Sequence, residues 1–510
     1  MPVAGIAPAP TGVVAFIGRC LKGPVSEPLR VTSFVEYQQV FGGLWAGSTL
    51  SYAVQQFFEH GGREAVIVRV VSGGRPPTLD LPAGDDMLVL TGICPGTREF
   101  LRVSVDYDGI SPQDTDLFNL VVQRVRAPGS ELVEAQETFR RLSVLAGSAR
   151  EIGRVLSGSR LIRLSGRLPR QRPDVTRGVK PQALIGYVAC NRDGDDGRQL
   201  SDYDLIGSEA GRTGLFALAG GPPFNFLCIP PPAPEQDLGV SALVAAARFC
   251  RQQHALLLVD PPQAWRTAED AIAGMRGWPL QSRDALMFFP RIVARDRLTA
   301  CHAEFAPSAA AAALILREVQ SLEAPWRAGE MALLRPSAQP AVTVNESQRQ
   351  RLARAGVNVV CATRSHERPE LPVRTLAGDR SSPPGSWQLS ERRLALFVSS
   401  SIERGTRWVA LEGNSLRTRE RACRQVERFL SHLAAAGAFA GTEINKHYFV
   451  FCDERVNGVM HELAGEVRLT YGFQSRGAAH RQSYLVVHSA AGSQTRPVSL
   501  NALAARELQP

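Results

Sequence analysis

The segment from Ser48 to Val70, "STLSYAVQQFFEHGGREAVIVRV", constrains the fold more than any other stretch of this sequence. Its apolar residues follow the spacing of a helix that packs one face on a core: Leu50, Ala53, Val54, Phe57 and Phe58. Gly61 and Gly62 come next, and glycine readily adopts the left-handed conformation that ends helices. The run that starts at Ala65 predicts a strand covered on both faces. No catalytic or phosphate-binding motif accompanies the segment.

The strand and helix pattern returns in the middle of the chain. The segments "FNFLCIPPP", "GVSALVAAARFCRQQ" and "HALLLVDPP" predict a strand, an amphipathic helix and a buried strand, which together form a βαβ unit. An alanine-rich helix is predicted from Ala309 to Val319, with Ser308 placed to cap its start. These segments indicate a layered α/β domain.

The segment between these two α/β parts has a different pattern. The short alternating runs "EFLRVSVDYDG" and "LFNLVVQRV" predict strands, whereas "EAQETFRRLSVL" predicts a helix. A Gly/Pro junction, "SGGRPP", precedes them. We therefore predict an inserted, mostly β domain.

The last part of the chain, from about Gln388, alternates helices and strands. The runs "RWVAL", "HYFVFC", "EVRLTYGF" and "SYLVVH" predict strands, and a helix is predicted from about Ser415 to Leu433. In the third run, apolar residues alternate with polar ones at the period of a half-buried strand: Val467, Leu469, Tyr471 and Phe473.

The predicted fold class is α/β (α+β) and multidomain. Residues 1–12 are rich in Pro, Gly and Ala and predict an exposed arm, and a turn-rich linker is predicted over 365–387. The predicted domains are an α/β domain (13–76 and 181–372), the inserted domain (77–180), a C-terminal domain (373–488) and a C-terminal arm or extension (489–510).

The composition is that of a folded protein, with 44% hydrophobic and 21% charged residues among 510. Nine cysteines are scattered without a CxxC pair, which favours small core residues in a cytoplasmic chain. No apolar run approaches the ~20 residues that span a bilayer, and "MPVAGIAPAP" lacks the features of a secretory signal. We expect folding in the cytoplasm without membrane insertion.

The net charge of +9 is almost wholly arginine, since the chain has only three lysines. The excess is spread over the chain and forms no basic block with interleaved aromatic residues, so direct nucleic-acid binding is not expected. An acidic protein partner fits the arginine content, because the guanidinium group pairs well with carboxylates across interfaces.

Several residues resemble catalytic or metal-binding groups, and each has a simpler interpretation. The loop "NRDGDDG" lacks the spacing and final glutamate of a calcium loop, which favours a solvated turn. Asp260 follows a predicted parallel strand, where α/β enzymes place catalytic groups, but no phosphate loop accompanies it. His254 and the Cys301–His302 pair lack a third ligand at metal-site spacing. We therefore predict no catalytic residue, metal or cofactor, and "NES" at Asn345 matches the glycosylation pattern only formally.

One helix carries a concentrated charge. Four arginines recur on one side of the segment after Ser415, opposite an apolar face: Arg417, Arg421, Arg424 and Arg428. A solvated face is one interpretation. A dock for an acidic surface is the other, because only Glu420 and Glu427 lie near enough along the helix to neutralise the stripe.

The sequence resembles the tail sheath proteins of contractile phages and of related phage-tail-like contractile injection systems. The resemblance rests on "TGVVAFIGRCLKGPVSEPLRVTSFVEYQQVFGGLWAGSTLSYAVQQFFEHGGREAVIVRV", "FNFLCIPPP", "LLLVDPPQAW", "RRLALFVSSSIERGTRWVALEGN" and "AFAGTEINKHYFVFCDE", in this order. It implies a core built from N- and C-terminal parts, with a variable domain projecting outward. It also implies a structural subunit without enzymatic activity that stacks as hexameric rings around an inner tube and contracts on firing.

The resemblance further implies partners and surfaces. The expected partners are other copies of this chain, the inner tail tube protein, and baseplate and terminator or cap proteins; the expected place is the phage tail or injection particle. By position, the four arginines would face the tube. Strands near the C terminus would pair between subunits, with these residues as candidates: Val467, Leu469, Tyr471, Phe473, Tyr484 and Val486. The alternative is a specialised sheath paralogue or a baseplate- or cap-associated component that does not form the main sheath.

Overall fold

The computed structural model describes residues 5–176, 186–320, 333–362, 371–378, 388–440, 447–476, 478 and 481–499. Four sequence predictions fall wholly or partly outside them. These are the first four residues of the arm, the domain boundary at 180/181, both ends of the 365–387 linker, and residues 500–510 of the C-terminal extension.

The described residues form 21 strands and 12 α-helices. The strands are β1 Val14–Gly18, β2 Leu29–Val31, β3 Ala65–Arg69, β4 Thr78–Ala83, β5 Asp86–Gly92, β6 Phe100–Asp106, β7 Leu117–Val125, β8 Val133–Ser143, β9 Ile162–Ser165, β10 Val188–Ala189, β11 Phe226–Cys228, β12 Leu256–Val259, β13 Ala285–Phe289, β14 Ile292–Arg295, β15 His302–Phe305, β16 Ala338–Pro340, β17 Val357–Val359, β18 Tyr448–Phe451, β19 Val467–Phe473, β20 Gln482–Ser489 and β21 Gly492–Pro497. The helices are α1 Phe34–Phe41, α2 Thr49–Glu59, α3 Ile152–Leu156, α4 Asp202–Ile206, α5 Val240–Gln252, α6 Ala268–Gly274, α7 Ser308–Gln320, α8 Glu346–Arg354, α9 Leu389–Gly405, α10 Val409–Glu412, α11 Leu416–Ala435 and α12 Val459–Leu463.

A seven-stranded sheet forms the centre of the molecule, in the order β17-β13-β12-β11-β1-β3-β2. All neighbours are parallel except the edge strand β2, which runs antiparallel to β3. Every residue of β1, β3, β12 and β13 is buried, as expected for a parallel sheet covered on both faces. The predicted βαβ unit is confirmed by β11, α5 and β12.

The opening helix–turn–strand segment folds as predicted. The helix α2 ends at a glycine pair in which the Gly61 amide donates to the carbonyl of Phe58 (3.1 Å) and the Gly62 amide to that of Phe57 (2.9 Å). Gly61 has a φ of 104°, so this is a Schellman cap that requires glycine. The helix then packs against α7 on one face of the central sheet.

The inserted domain consists of two antiparallel sheets, β4-β5-β9 and β10-β6-β7-β8, around a shared apolar core. The predicted helix "EAQETFRRLSVL" is wrong, because this segment is the edge strand β8. Its backbone pairs along β7, with Phe139 opposite Leu120 and Glu137 opposite Val122. The strand β10 pairs with β6, so residues 188–189 belong to this sheet although the predicted boundary assigns them to the α/β domain.

A buried polar network fastens the inserted domain to the central sheet. The Arg69 side chain, at the end of β3, donates to the carbonyls of Cys20 (3.1 Å), Gly23 (2.6 Å) and Pro95 (2.7 Å), although it is only 1% exposed. Beside it, Lys22 pairs with Glu134 of β8. The two units therefore share ionic and hydrogen-bonded contacts.

The C-terminal domain packs α9 and α11 on the antiparallel sheet β18-β19-β20-β21. The predicted strand "RWVAL" is wrong, because its last residues belong to the one-turn helix α10, which ends at Gly413 with a φ of 75°. The helix α9 joins the two domains, since Leu389 and Leu396 pack in the central core whereas Val398 lies in the C-terminal core.

The described part of the N-terminal arm is partly buried. Ile6 and Ala9 are 9% and 7% exposed, and the Ala9 amide donates to the hydroxyl of Ser401 on α9 (2.9 Å). Ile6 and Ala9 therefore hold the arm against α9, and the prediction of an exposed segment is wrong for these two residues, whereas Gly5, Ala7 and Pro8 are exposed. Searching the described residues reveals no helix with the length and apolar character needed to cross a membrane.

Candidate assembly surfaces on the C-terminal domain

The arginine-striped helix forms as predicted, as α11. Its first turn is capped by Ser415, whose hydroxyl accepts a hydrogen bond from the Thr418 amide at 3.2 Å. One face is buried against the sheet, through Ala422, Val426, Phe429, Leu430 and Leu433. The opposite face therefore carries the arginines to the surface.

The four arginines differ in their surroundings. Arg417, Arg424 and Arg428 are exposed, whereas Arg421 is half-buried over the ring of Trp408, with 4.0 Å from its guanidinium carbon to the ring centroid.

Two arginines of the stripe have acidic neighbours. Arg421 pairs with Glu412 at 2.7 Å, and Arg424 lies 3.7 Å from Glu420. Among the described residues, Arg417 and Arg428 have no carboxylate partner. The stripe thus retains two uncompensated charges, one near each end of the helix.

The short helix α12 adds an apolar surface that the sequence analysis missed. It is held by a salt bridge between Glu462 and the buried Arg419 of α11, and by a hydrogen bond from the Asn414 amide group to the Glu466 carbonyl (2.7 Å). Its large apolar side chains and two near the start of α11 are 63–90% exposed: Leu411, Leu416, Val459, Met460 and Leu463. Because α12 has no buried residue, its sequence does not show apolar residues at the helical period, and the helix was therefore not predicted from the sequence.

The six candidate strand-pairing residues lie inside this domain. All are at most 7% exposed and belong to its core: Val467, Leu469, Tyr471, Phe473, Tyr484 and Val486. Their strands, β19 and β20, are paired on both sides within the chain. A further strand cannot add to an interior strand, so this part of the prediction is corrected: among the described residues, the edge strands of the sheet are β18 and β21.

The cysteines of this domain have the character of buried groups. Burial is the largest effect that raises the pKa of Cys423 and of Cys452 to about 12, and neighbouring acidic groups raise the pKa of Cys423 further. Both remain thiols at neutral pH. Of the nine free cysteines, five are buried and only Cys301 is exposed, which largely confirms the predicted core role.

Asp260 acts as a helix cap. Its Oδ1 accepts the backbone amide of Ser308 at 3.0 Å, the first residue of α7. Burial raises the pKa of Asp260, although the Ser308 hydrogen bonds and Arg291 oppose the rise. Ser308 was expected to cap this helix, but it is the capped residue and Asp260 supplies the acceptor.

The remaining candidates are also built into the fold. Asp196 accepts two hydrogen bonds from Thr97, from its amide and its hydroxyl, both at 2.8 Å. His254 lies 2.9 Å from Glu403, and Asn345 caps α8 by accepting the Gln348 amide. In the described ranges, no group of three His, Cys, Asp or Glu side chains could hold a metal ion.

Several solved protein structures have an architecture similar to that of this chain. No protein-family model and no curated protein matches the sequence. A sheath tail protein from Listeria innocua superposes with a TM-score of 0.61 at 10% identity, over 95% of this chain and 96% of that chain. The helical sheath protein of the anti-feeding prophage, in its contracted state, gives 0.52 at 14% identity over 94% of each chain. The PVC sheath of an extracellular contractile injection system, also contracted, gives 0.51 at 14% identity, over 94% of this chain and 92% of that chain.

All three of these solved structures are of sheath proteins. The superpositions span the central sheet, the inserted domain and the C-terminal domain together, since they cover at least 94% of this chain. Along nearly its whole length, this chain has the fold of the contractile tail sheath proteins.

Proposed function

We propose that this protein is the structural subunit of a contractile tail sheath, which stacks as hexameric rings around an inner tube and contracts to drive the tube through a target envelope. The observation that carries the proposal is the match of the whole architecture to a sheath tail protein, over 95% of one chain and 96% of the other. A shared domain alone would leave large parts of both chains unmatched.

Such a function needs rigid bodies and two sets of contacts between subunits, and no chemical step. The buried network around Arg69 and the two-sided packing of α9 give each subunit the required rigidity. The contacts between neighbouring subunits need to differ in free energy by only about 1–3 kcal/mol per subunit between the two states, which is the usual size of a coupling energy. This difference becomes large when many subunits switch together.

The arginine stripe of α11 is proposed to face acidic groups on the tube. Arg417 and Arg428 support this role because both are exposed and have no carboxylate partner among the described residues. Charges held at a helix surface steer an acidic partner and fix its register. The exposed side chains of Met460 and Leu463, on the helix α12 that Arg419 joins to α11, would supply apolar contacts.

Pairing of strands between subunits is proposed for the free edges of the C-terminal sheet. Main-chain hydrogen bonds at an edge survive a change in the angle between neighbours, so a lattice can rearrange without dissociating. Residues 492–495 of β21 alternate between exposed and half-buried, and within the described part of the chain the strand pairs with β20 alone. This edge is therefore open to a neighbouring copy in the subunit described here.

Electron microscopy of the purified chain, with and without its tube protein, tests the proposal. Ringed cylinders are expected at high protein concentration. Isolated particles under all conditions would contradict the sheath role. They would favour the alternative of a paralogue or a baseplate- or cap-associated component, which keeps the fold without forming the main sheath. Assembly is expected in the bacterial cytoplasm, before the particle acts.

A further inference from the structure

Two adjoining cavities separate the central-sheet domain from α9. Their volumes are about 220 and 420 Å³, and His254 and Leu396 line both of them. Among the described residues, two carboxylates line these cavities, Asp284 and Glu403, whereas six arginines do so: Arg251, Arg283, Arg392, Arg393, Arg404 and Arg407. The cleft is therefore strongly cationic.

The two carboxylates are already engaged. Asp284 pairs with Arg392 and lies 3.3 Å from Arg251.

Glu403 accepts hydrogen bonds from His254 (2.9 Å) and Thr495 (2.7 Å) and lies 3.6 Å from Arg407. In the part of the chain that the structure describes, Arg283, Arg393 and Arg404 form no salt bridge with a carboxylate, although the charge of Arg283 acts on Glu391. Two of these three line the smaller cavity.

Arg393 is the most informative of the three. It is only 7% exposed, its Nη2 donates to the carbonyl of Thr11 at 3.1 Å, and its Nη1 is buried without a hydrogen-bond partner among the described residues. Burial lowers the pKa of Arg393 to about 10. A buried charge is strongly unfavourable unless it is paired and hydrogen-bonded, so this side chain lacks the counter-ion that its burial requires.

We propose that the smaller cavity binds a small oxyanion, held by Arg393 and Arg404. A guanidinium group can donate two parallel hydrogen bonds to a phosphate or carboxylate, and the exposed Arg404 is placed to do so. The Nη1 atom of Arg393 has no exposed surface, so Arg393 attracts the anion by its uncompensated charge at the cavity wall. The side-chain amide of Gln253 and the hydroxyl of Ser400 line the same cavity and can donate to further oxygens. The volume of 220 Å³ far exceeds the about 10–15 Å³ that a single water needs, so the ion fits with several waters.

Bound there, the anion joins three parts of the fold. Arg393 and Arg404 belong to α9, Gln253 follows α5 on the central-sheet side, and Thr11 belongs to the N-terminal segment that Arg393 contacts. The ion stabilises the contact between the two domains because it binds only when they are together. Its binding does not depend on assembly into a sheath.

Thermal unfolding of the full, unassembled chain tests the site. Inorganic phosphate is compared with sodium chloride at equal ionic strength, in wild type, in Arg393→Met, and in the control Arg276→Met at an exposed position outside the cleft. We expect about 10 mM phosphate to raise the Tm of wild type and control by about 2 °C or more, and Arg393→Met to lose at least half of the rise. A parallel titration with succinate distinguishes a carboxylate ligand from a phosphate, and a cleft-dependent rise with either anion supports the site.

Equal rises in all three proteins, or no rise in wild type with either anion, would overturn the proposal. If Arg393→Met does not fold, Arg404→Met replaces it, because Arg404 is exposed at the same cavity and its loss leaves the core intact. Failure of the chain to form cylinders would leave this result unchanged, so the two hypotheses are tested separately.

Discussion

The Nε2 atom of His488 lies 2.8 Å from the hydroxyl oxygen of Thr406, inside the C-terminal domain. Its Nδ1 lies 2.7 Å from the hydroxyl of Ser493, and the residue is 1% exposed. Burial lowers the pKa of His488 to about 4; the charge of Glu403 opposes this shift and that of Arg407 adds to it. The native state therefore binds a proton at His488 only in strongly acidic solution.

This relationship predicts a loss of stability in mild acid. An unfolded chain protonates this histidine near pH 6.5, whereas the native chain does not until about pH 4, so protons favour the unfolded state between these values. The free energy of unfolding should fall by about 2–3 kcal/mol from pH 7 to pH 4 through this group alone. Urea unfolding at several pH values measures it.

The variant His488→Gln provides the control, because an amide keeps a donor and an acceptor near Thr406 and Ser493 but does not titrate. It should lose stability less steeply between pH 6.5 and 5. Burial tends to raise the pKa of Glu403, but its hydrogen bond with His254 lowers that pKa overall, so Glu403 contributes mainly below this range. An unchanged slope in the variant would contradict the assignment to His488.

A second prediction concerns the attachment of the inserted domain. Replacing Arg69 by Met removes three hydrogen bonds to backbone carbonyls and leaves those carbonyls unsatisfied. We expect a loss of about 3 kcal/mol or more in the free energy of unfolding. The matched control is Arg30→Met on the neighbouring strand β2, where the side chain is 60% exposed and pairs with Glu64. It should cost less than about 1 kcal/mol, so equal losses in both variants would refute the role of Arg69.

Periodicity was sufficient to predict β3, β11 and β12 of the central sheet and the helix α11, because burial on both faces or on one face leaves a continuous or a 3.6-residue pattern. No strand was predicted at β2, β13 or β17 of the same sheet. Periodicity failed for β8, whose Glu, Ala, Gln and Arg residues favour a helix. That segment is a strand because Phe139 and Glu137 pair with β7, a contact between residues that are distant in sequence. In "RWVAL", five residues were too few to separate a strand from one turn of helix.

For the candidate surfaces, the sequence predicted which residues share one side of a helix but not which elements pack around them. The spacing of Arg417, Arg421, Arg424 and Arg428 placed them on one side of a helix, and three of them are exposed. The stacking of Arg421 on Trp408 depends on how α10 packs, which local sequence does not determine. The burial of β19 and β20 between two further strands depends on sheet order in the same way.

A third prediction follows from the salt bridge between Arg419 and Glu462. It is the ionic contact that fastens α12, a helix without buried residues, to the rest of the domain. Arg419→Met should increase hydrogen exchange at Val459–Leu463 about tenfold or more, since a charged hydrogen bond contributes about 1.5–3 kcal/mol. Exchange in β19 should change little. Arg424→Met, whose side chain lies on the exposed face of the same helix, serves as the control and should leave α12 unaffected.

The last prediction tests the proposed tube-facing surface. Reversing Arg417 and Arg428 together to Glu replaces two unpaired positive charges at the surface of α11 by negative ones. Folding should be unaffected, because neither side chain has a partner to lose among the described residues. Against an acidic tube, the reversal should weaken binding by about 1–2 kcal/mol per subunit, from lost attraction and new repulsion. Cosedimentation of the variant with assembled tubes measures this loss.

The control reverses two exposed arginines elsewhere, Arg212 and Arg276, so that the net charge changes equally. Wild-type binding should weaken as salt is raised, because exposed charges are screened within about 8–10 Å at physiological ionic strength, and the stripe variant should lose most of this dependence. Equal cosedimentation of both double variants would mean that overall charge, and not the position of α11, governs the contact. If the stripe variant binds tubes as well as wild type does, α11 is not part of the tube interface. Cylinders formed by the chain would still identify it as a sheath subunit in that case.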